Sequence, residues 1–195
     1  MSKKVVYKQI VTSILAIGLG GAAAAAEVAG VKVEDTVRMG GRGPELQLNG
    51  AGVRTRFLFK VYVGALYLQQ KKTAADAVFS DAGAKRVALH MLRDVAADQF
   101  FSALSDGLKS NHTPDQLAKF EPQLKQLEGI FKAVGAAKNG DVILIDAEAD
   151  RGTRITVNGS DKGLIPGADF NRALLRIWLG EKPADADLKK AMLGG

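Results

Sequence analysis

The stretch of residues 48–68 reads LNGAGVRTRFLFKVYVGALYL and carries the strongest structural pattern of the sequence. Its side chains alternate with a period of two, which is typical of β-strands, and glycines interrupt the pattern. One face is apolar and carries Phe57, Phe59, Val61, Val63 and Ala65. The other face carries the polar tips of Lys60 and Tyr62 together with Leu58 and Gly64. We therefore expect this β-rich region to lie against a cleft or solvent on one side.

The remaining patterns place this stretch among further strands and helices. Strands are predicted at 31–38, 45–49, 52–69, 86–92, 142–146, 153–157 and 160–165, and helices at 73–80, 96–109, 113–134, 170–179 and 186–193. Thr113 is a predicted N-cap before Pro114, Pro122 is expected to kink or split that helix, and Asn158–Gly159 is a predicted hairpin turn. Because strands and helices do not alternate regularly, a parallel Rossmann-type sheet is disfavoured. We predict one α+β domain over 27–195, a largely antiparallel sheet with helices packed on one face.

The first 26 residues show the pattern of an export signal. Three lysines precede an apolar run at 10–19, small residues follow at 20–26, and an Ala-x-Ala site ends at Ala26. We expect a signal peptide at 1–26, Glu27 as the first mature residue and a periplasmic location. An uncleaved anchor or a buried helix remains the alternative. No later run approaches the ~18 apolar residues of a membrane span, so none is expected after cleavage.

Composition excludes several classes of function. The three N-terminal lysines carry half of the formal charge of +6, and the rest of the chain keeps only a small excess of +3, so nucleic-acid binding is not expected. The chain has no cysteine, and its two histidines, His90 and His112, are too far apart for a zinc-binding helix motif. We expect no metal and no cofactor. Asp146, Glu148 and Asp150 alternate at a strand end, where we expect a solvated edge rather than a calcium site.

The candidate ligand-binding residues are Arg54, Lys60, Tyr62 and Tyr67, set among apolar neighbours in the β-rich region. A guanidinium offers a planar fork of donors that suits a carboxylate or an enolate-like oxygen, and a water-excluding cleft strengthens such bonds. Lys60 and Tyr62 share a face, so an ammonium and a phenol could converge on one polar group. The alternative is that Arg54 and Lys60 are surface charges on a sheet edge.

Several segments of the sequence resemble the chalcone isomerase family, particularly its bacterial exported branch. They are GAGVR at 50–54, FKVY at 59–62, ALYL at 65–68, GT at 152–153, VNG at 157–159, Gly163, the run 167–180 ending in IWLG, and LK at 188–189. The resemblance covers roughly residues 30–194. It implies an antiparallel sheet backed by helices, with a ligand cleft between the two layers.

The resemblance does not carry over the whole catalytic set. Enzymes of the family close a flavanone ring by attack of a phenolate on an enone, and an arginine polarises the developing enolate. Arg54 matches that arginine, but the segment that follows it is shorter here. The family's catalytic threonine corresponds to Tyr62, and its tyrosine and asparagine fall near Met91 and Asp98. The resemblance therefore implies an incomplete site, with Arg54 as the catalytic residue if the chain is an isomerase.

Other members of the family bind fatty acids, holding the carboxylate with an arginine and a tyrosine. Arg54 with Tyr62 or Tyr67, and an apolar tunnel behind them, would meet that requirement. We therefore expect a non-catalytic periplasmic protein that binds a small hydrophobic carboxylate such as a fatty acid. Two alternatives stay open: an isomerase or intramolecular lyase of unknown substrate, and a structural envelope protein without a ligand. The sequence identifies no protein partner.

Overall fold

The computed structural model describes residues 25–149 and 151–195. The predicted signal peptide lies outside this part of the chain except for Ala25 and Ala26. In chain order the elements are β1 (Ala25–Val28), β2 (Val31–Glu34), β3 (Thr36–Arg38), β4 (Glu45–Arg56), β5 (Phe59–Leu68), α1 (Ala75–Ser80), β6 (Lys85–Met91), β7 (Val95–Ala96), α2 (Ala97–Asn111), α3 (Pro114–Ala118), α4 (Glu121–Val134), β8 (Ala136–Ala137), β9 (Val142–Glu148), β10 (Gly152–Val157), β11 (Ser160–Pro166), α5 (Ala168–Leu179) and α6 (Ala186–Met192).

The main sheet has seven strands in the order β11-β10-β9-β6-β5-β4-β3, and every neighbouring pair is antiparallel. Two short antiparallel pairs, the β1–β2 hairpin and the pairing of β7 with β8, form separate sheets. The long strand β5 runs near the middle of the sheet between β4 and β6. The predicted α+β class with a largely antiparallel sheet is therefore confirmed.

Helices cover one face of the sheet and form the larger core. The amphipathic helices α2, α4 and α5 bury their apolar sides there, and α5 contributes the fully buried Phe170 and Trp178. The smaller core on the other face includes Val33 of β2, Met39 and Tyr67 of β5. Among the described residues, no helix has the length and apolar character needed to cross a membrane.

The glycines of β4 do not interrupt the strand, contrary to the prediction of a break between 49 and 52. The strand continues through Gly50 and Gly52 to Arg56, and the chain reverses at Phe57–Leu58 instead. Helix α6 packs directly on this stretch: a Cβ on Gly50 would meet the carbonyl oxygen of Ala191, and one on Gly52 would lie 2.6 Å from the Ala191 Cβ. The glycines thus allow close approach of a helix rather than a turn.

Local capping and turn signals give the expected structures. The Thr113 side chain accepts a hydrogen bond from the Gln116 N–H in a capping box, and the predicted long helix splits into α3 and α4, with Pro122 in the first turn of α4. Asn158 and Gly159 have φ of 50° and 76°, as a tight β10–β11 turn requires.

The expected solvated edge at Asp146 and Glu148 is wrong. Asp146 is buried and accepts two hydrogen bonds from Arg86, at 2.6 Å from Nε and 2.7 Å from Nη2. Glu148 pairs with Arg151 and Arg154. β9 pairs with β6, which brings Arg86 directly opposite Asp146. Asp150 lies outside the described residues.

Candidate functional site

The β4–β5 hairpin places Arg54 beside Tyr62. These two residues are directly paired across the antiparallel strands, and a register shift follows immediately, between Arg54 and Thr55. Directly paired residues project to the same face of a sheet. The guanidinium carbon of Arg54 lies 5.6 Å from the centre of the Tyr62 ring, which is cation–π distance. The arginine is thereby held against the phenol, on the helix-covered face.

The Nε atom of Arg54 is buried without a hydrogen-bond partner among the described residues. A buried donor without an acceptor costs about 1–3 kcal/mol, and more when the group is charged. Most proteins avoid such a cost except where a site requires it. Arg54 as a whole is half-buried, so its guanidinium lies between the core and the solvent side.

Tyr62 is 3% exposed, and its phenol oxygen accepts a 2.8 Å hydrogen bond from the indole Nε1 of Trp178 on α5. Because an indole only donates, the phenol must act as the acceptor there, and its own hydrogen remains available for donation. Burial raises the pKa of Tyr62, while the positive charge of Arg54 opposes the rise. At neutral pH Tyr62 is therefore a neutral phenol, and thus a hydrogen-bond donor.

A cavity of about 550 Å³ opens next to this pair, between the tip of the β4–β5 hairpin and the start of α2. Its apolar wall comes mainly from Phe57, Phe59, Val61 and Phe100. Cations and acids share the rest of the wall: the arginines come from the hairpin and from the segment after β6, and the acids come from that segment and α2. These charged residues are Arg54, Arg56, Arg93, Asp94, Asp98 and Asp106. Its size is within the range of small-molecule sites.

Behind Arg54 lies a narrow recess. It measures about 20 Å³ and is lined by Arg54, Tyr62 and apolar side chains, which are Phe100, Ala103, Leu104, Ile177 and Ala184. The expected apolar tunnel behind the arginine is therefore not open, because α2 and α5 pack closely on β5. Room for an apolar tail lies instead in the outer cavity, along the aromatic side chains of the hairpin and α2.

The other two predicted site residues do not join the Arg54–Tyr62 pair. Lys60 is exposed, lies opposite Thr55 in the hairpin and is not among the residues that line the described cavity. Tyr67 is five positions from Tyr62, so it projects to the opposite face of β5, into the smaller core. There its hydroxyl donates to the Glu34 carbonyl at 3.0 Å, and burial raises its pKa to about 12.

The family's catalytic tyrosine and asparagine correspond to positions near Met91 and Asp98, and these two residues lie in different surroundings. Met91 lies in β6 directly opposite Tyr62 and is buried in the larger core. Asp98 lies exposed in the first turn of α2, at the rim of the cavity. A thioether donates no hydrogen bond, so Met91 cannot take the role of the family's catalytic tyrosine.

Sequence reasoning missed three contributors to the site. Trp178 was part of an apolar helix pattern, and its contact with Tyr62 joins residues 116 positions apart. Arg56 and Arg93 each place a guanidinium over a phenylalanine ring, at 5.8 Å from the centre of Phe57 and 4.9 Å from that of Phe59. The available signal was the Arg-x-Arg-Phe pattern of 54–57, which combines two cations with an exposed aromatic residue.

A second cavity, of about 650 Å³, lies elsewhere on the sheet, but its charges are already paired. The buried ion pair of Arg86 and Asp146 is part of its wall, and the three other arginines there each contact a carboxylate. In contrast, Arg54 has a buried N–H without an acceptor among the described residues. For this reason we place the candidate site at Arg54. The described residues contain no group of three or more acidic or histidine side chains that could hold a metal ion.

Comparisons with known proteins identify the family. A family model described as chalcone isomerase-like matches residues 25–194. The crystal structure of a fatty-acid binding protein from Arabidopsis thaliana aligns with a TM-score of 0.60 and 15% identity, over 81% of this chain and 95% of that chain. No curated protein sequence matches. Because the family model spans most of the sequence, the chain belongs to the chalcone isomerase-like family.

Proposed function

We propose that this protein binds a small amphipathic carboxylate, such as a fatty acid, and that it does so without catalysis. The observation that carries the proposal is the pair of buried donors at the cavity: the Nε–H of Arg54 and the phenol O–H of Tyr62. Neither has an acceptor among the described residues. A carboxylate has two acceptor oxygens and one negative charge, and can satisfy both donors at once.

The energetics assign different roles to the two ends of the ligand. A charge-assisted hydrogen bond from Arg54 contributes about 1.5–3 kcal/mol and fixes the orientation of the carboxylate. Each methylene buried against Phe59, Val61 and Phe100 adds about 0.8 kcal/mol. The tail therefore dominates affinity, and the arginine selects an acid over a neutral lipid of the same length.

The structural neighbour supports the class of ligand, since it is described as a fatty-acid binding protein. Its 15% identity supports similarity of fold alone, so the argument for a carboxylate depends on Arg54 and Tyr62 of this chain. The open outer cavity also favours a ligand-binding role over that of a structural envelope protein without a ligand.

The proposal is tested by titrating the delipidated protein with a fatty acid and with the fatty alcohol of equal chain length. We expect saturable binding of the acid, and Arg54→Ala should weaken it about 10- to 100-fold, which corresponds to the loss of the charge-assisted bond. The alcohol should bind equally to wild type and variant. Lys60→Ala is the matched control, since it removes a nearby exposed cation. Absence of saturable acid binding in the wild type would refute the proposal.

The catalytic alternative is an intramolecular lyase that uses Arg54 to stabilise an enolate-like oxygen. It would need proton handling from another group, which Met91 cannot provide. Incubation with chalcones, followed by loss of their absorbance, distinguishes the two functions. Turnover that Arg54→Ala abolishes would establish the alternative; unchanged absorbance would favour the binding protein.

We further propose that the chain belongs to the exported bacterial branch of the family and works in the periplasm. The support is the three-part pattern of residues 1–26. Cleavage after Ala26 would leave Glu27 and Val28 of β1 paired with Lys32 and Val31. Mass spectrometry of protein recovered from the periplasm should give a chain that begins at Glu27. Recovery of the intact chain from the cytosol would contradict the proposal.

A further inference from the structure

The turn of the β4–β5 hairpin exposes three consecutive large apolar side chains. Phe57 is 86% exposed, Leu58 is 94% exposed and Phe59 is 59% exposed. Among the described residues, these are the large hydrophobic side chains that project into solvent. Single exposed apolar residues are common, but a contiguous group of this kind marks an interaction surface. We call residues 57–59 the hairpin tip.

The backbone holds the hairpin tip in a conformation that is unfavourable for its sequence. Phe57 has φ of 57°, in the left-handed region that bulky side chains rarely adopt. Glycine or asparagine would satisfy such a turn at lower cost, as Asn158 does in the β10–β11 hairpin. A strained aromatic residue displayed to solvent is better explained by a function of the side chain than by the needs of the turn.

Cations surround the hairpin tip. Arg54, Arg56 and Lys60 flank it within the hairpin, and no acidic residue occurs between Glu45 and Asp76. Arg93 adds a fourth cation, with its guanidinium 4.9 Å from the centre of the Phe59 ring. The facing acids belong to the other wall of the cavity, and one of them, Asp94, is paired with Lys138. The charged residues of the hairpin after Glu45 are therefore all positive, and the acid that contacts its backbone, Asp185, accepts a 2.9 Å hydrogen bond from the Thr55 N–H.

We propose that the hairpin tip inserts into the surface of a membrane that contains anionic lipids. Aromatic side chains favour the boundary between headgroups and acyl chains, and flanking lysines and arginines are attracted to anionic headgroups. A second copy of this chain fits the surface less well. Three side chains bury at most about 500 Å², and a stable interface needs roughly 800 Å² from each partner.

This docking would also place the mouth of the cavity at the lipid surface, because Phe57 and Phe59 line that cavity. An amphipathic acid could then pass between the bilayer and Arg54 without crossing water. This consequence rests on the proposed function, but membrane docking itself does not.

The test is co-sedimentation of the purified protein with phosphatidylcholine vesicles, with and without phosphatidylglycerol. Wild type and variants begin at the same residue, so that they differ only at the substituted positions. We expect wild type to pellet with the anionic vesicles, and the bound fraction to fall as salt is raised. Phe57→Asn combined with Leu58→Ser should reduce binding at least tenfold, because it removes two apolar side chains from the hairpin tip. Asparagine is chosen at position 57 because it preserves the left-handed turn. Arg56→Glu should also weaken binding, whereas Lys162→Glu, an exposed lysine on the far edge strand β11, should not.

A second measurement covers the case in which the double variant folds poorly. Leu58→Trp keeps the tip apolar and adds a reporter, because Trp178 is buried and contributes a constant background. Its emission should shift to shorter wavelength with anionic vesicles. Equal binding of wild type and double variant, or an unchanged spectrum, would overturn the docking proposal, and concentration-dependent dimerisation through the tip would replace it. Fatty-acid titrations without vesicles test the proposed function separately.

Discussion

Trp178 donates a 2.8 Å hydrogen bond from its indole Nε1 to the phenol oxygen of Tyr62, between helix α5 and strand β5. Both side chains are almost completely buried. The bond fixes the phenol with its oxygen toward the helix layer, and it uses an acceptor site of that oxygen while leaving the O–H as a donor. The only tryptophan of the chain therefore sets the position of one of the two donors at the cavity.

The Tyr62–Trp178 bond should be measurable as a coupling energy. Tyr62→Phe leaves the indole N–H buried without an acceptor, so we expect the free energy of unfolding to fall by about 1–3 kcal/mol. In a double-mutant cycle with Trp178→Phe, the two losses should be non-additive by about 1 kcal/mol or more. Denaturant unfolding checks this expectation. Strictly additive losses would mean that the bond contributes nothing.

A second prediction concerns the contribution of the buried Arg86–Asp146 pair to stability. Asp146→Ala leaves the Arg86 guanidinium buried and uncompensated, and we expect a loss of about 3–5 kcal/mol in the free energy of unfolding. The matched control is Glu128→Ala, which removes a carboxylate from an ion pair with the mostly exposed Lys132 on α4. It should cost less than about 1 kcal/mol. Similar losses for the two variants would contradict the assignment of Asp146 to the core.

Tyr67 should give the protein an alkaline pH dependence. Burial raises its pKa from 10.0 to about 12, so the folded state favours the neutral phenol. Its contribution to the free energy of unfolding is then complete below pH 10 and is lost as the pH rises from 10 toward 12. The stability difference between wild type and Tyr67→Phe should shrink over that interval. A constant difference would show that Tyr67 titrates normally.

Substitution of Phe57 in the hairpin tip should increase the stability of the protein. Phe57→Asn relieves the left-handed backbone strain, and we expect the free energy of unfolding to rise by about 1 kcal/mol. Asn158→Ala, at another turn residue with positive φ, should lower it by more than this, because it also removes the hydrogen bonds of the Asn158 side chain with Val142 and Asp141. Thermal or denaturant unfolding of both variants provides the measurement. Destabilisation by Phe57→Asn would argue that the Phe57 ring packs in the folded protein rather than serving an external partner.

Local signals in the sequence predicted much of the fold. Side-chain alternation placed the strands, the Thr113 cap and Pro114 placed the start of α3, and Asn158–Gly159 placed a turn, since each of these features depends on neighbouring residues alone. The β4–β5 turn was missed because its residues, Phe57 and Leu58, are not turn formers. Gly50 and Gly52 suggested a break in the strand. Their role is instead to let helix α6 pack closely on β4, and α6 lies about 140 positions further along the chain.

The site was predictable only in part, for a related reason. Arg54 and Tyr62 lie on one hairpin, so strand periodicity and the family resemblance were sufficient to identify both as candidate ligand-binding residues. Tyr67 was included although an odd spacing from Tyr62 directs it to the opposite face. Trp178 and the closed recess behind Arg54 depend on how α5 and α2 pack on the sheet, which no local pattern encodes.

A ¹H–¹⁵N spectrum of the arginine Nε–H groups, recorded during titration with a fatty acid, shows directly whether Arg54 receives the carboxylate. Arg54 is assigned by the signal that disappears in Arg54→Lys, and Arg56 and Arg93 are assigned in the same way. We predict that the Arg54 signal shifts saturably, by more than either of the others, and that the fatty alcohol leaves it in place. An unchanged Arg54 signal at saturating acid, or a shift confined to Arg56 and Arg93, would contradict the claim that Arg54 receives the carboxylate.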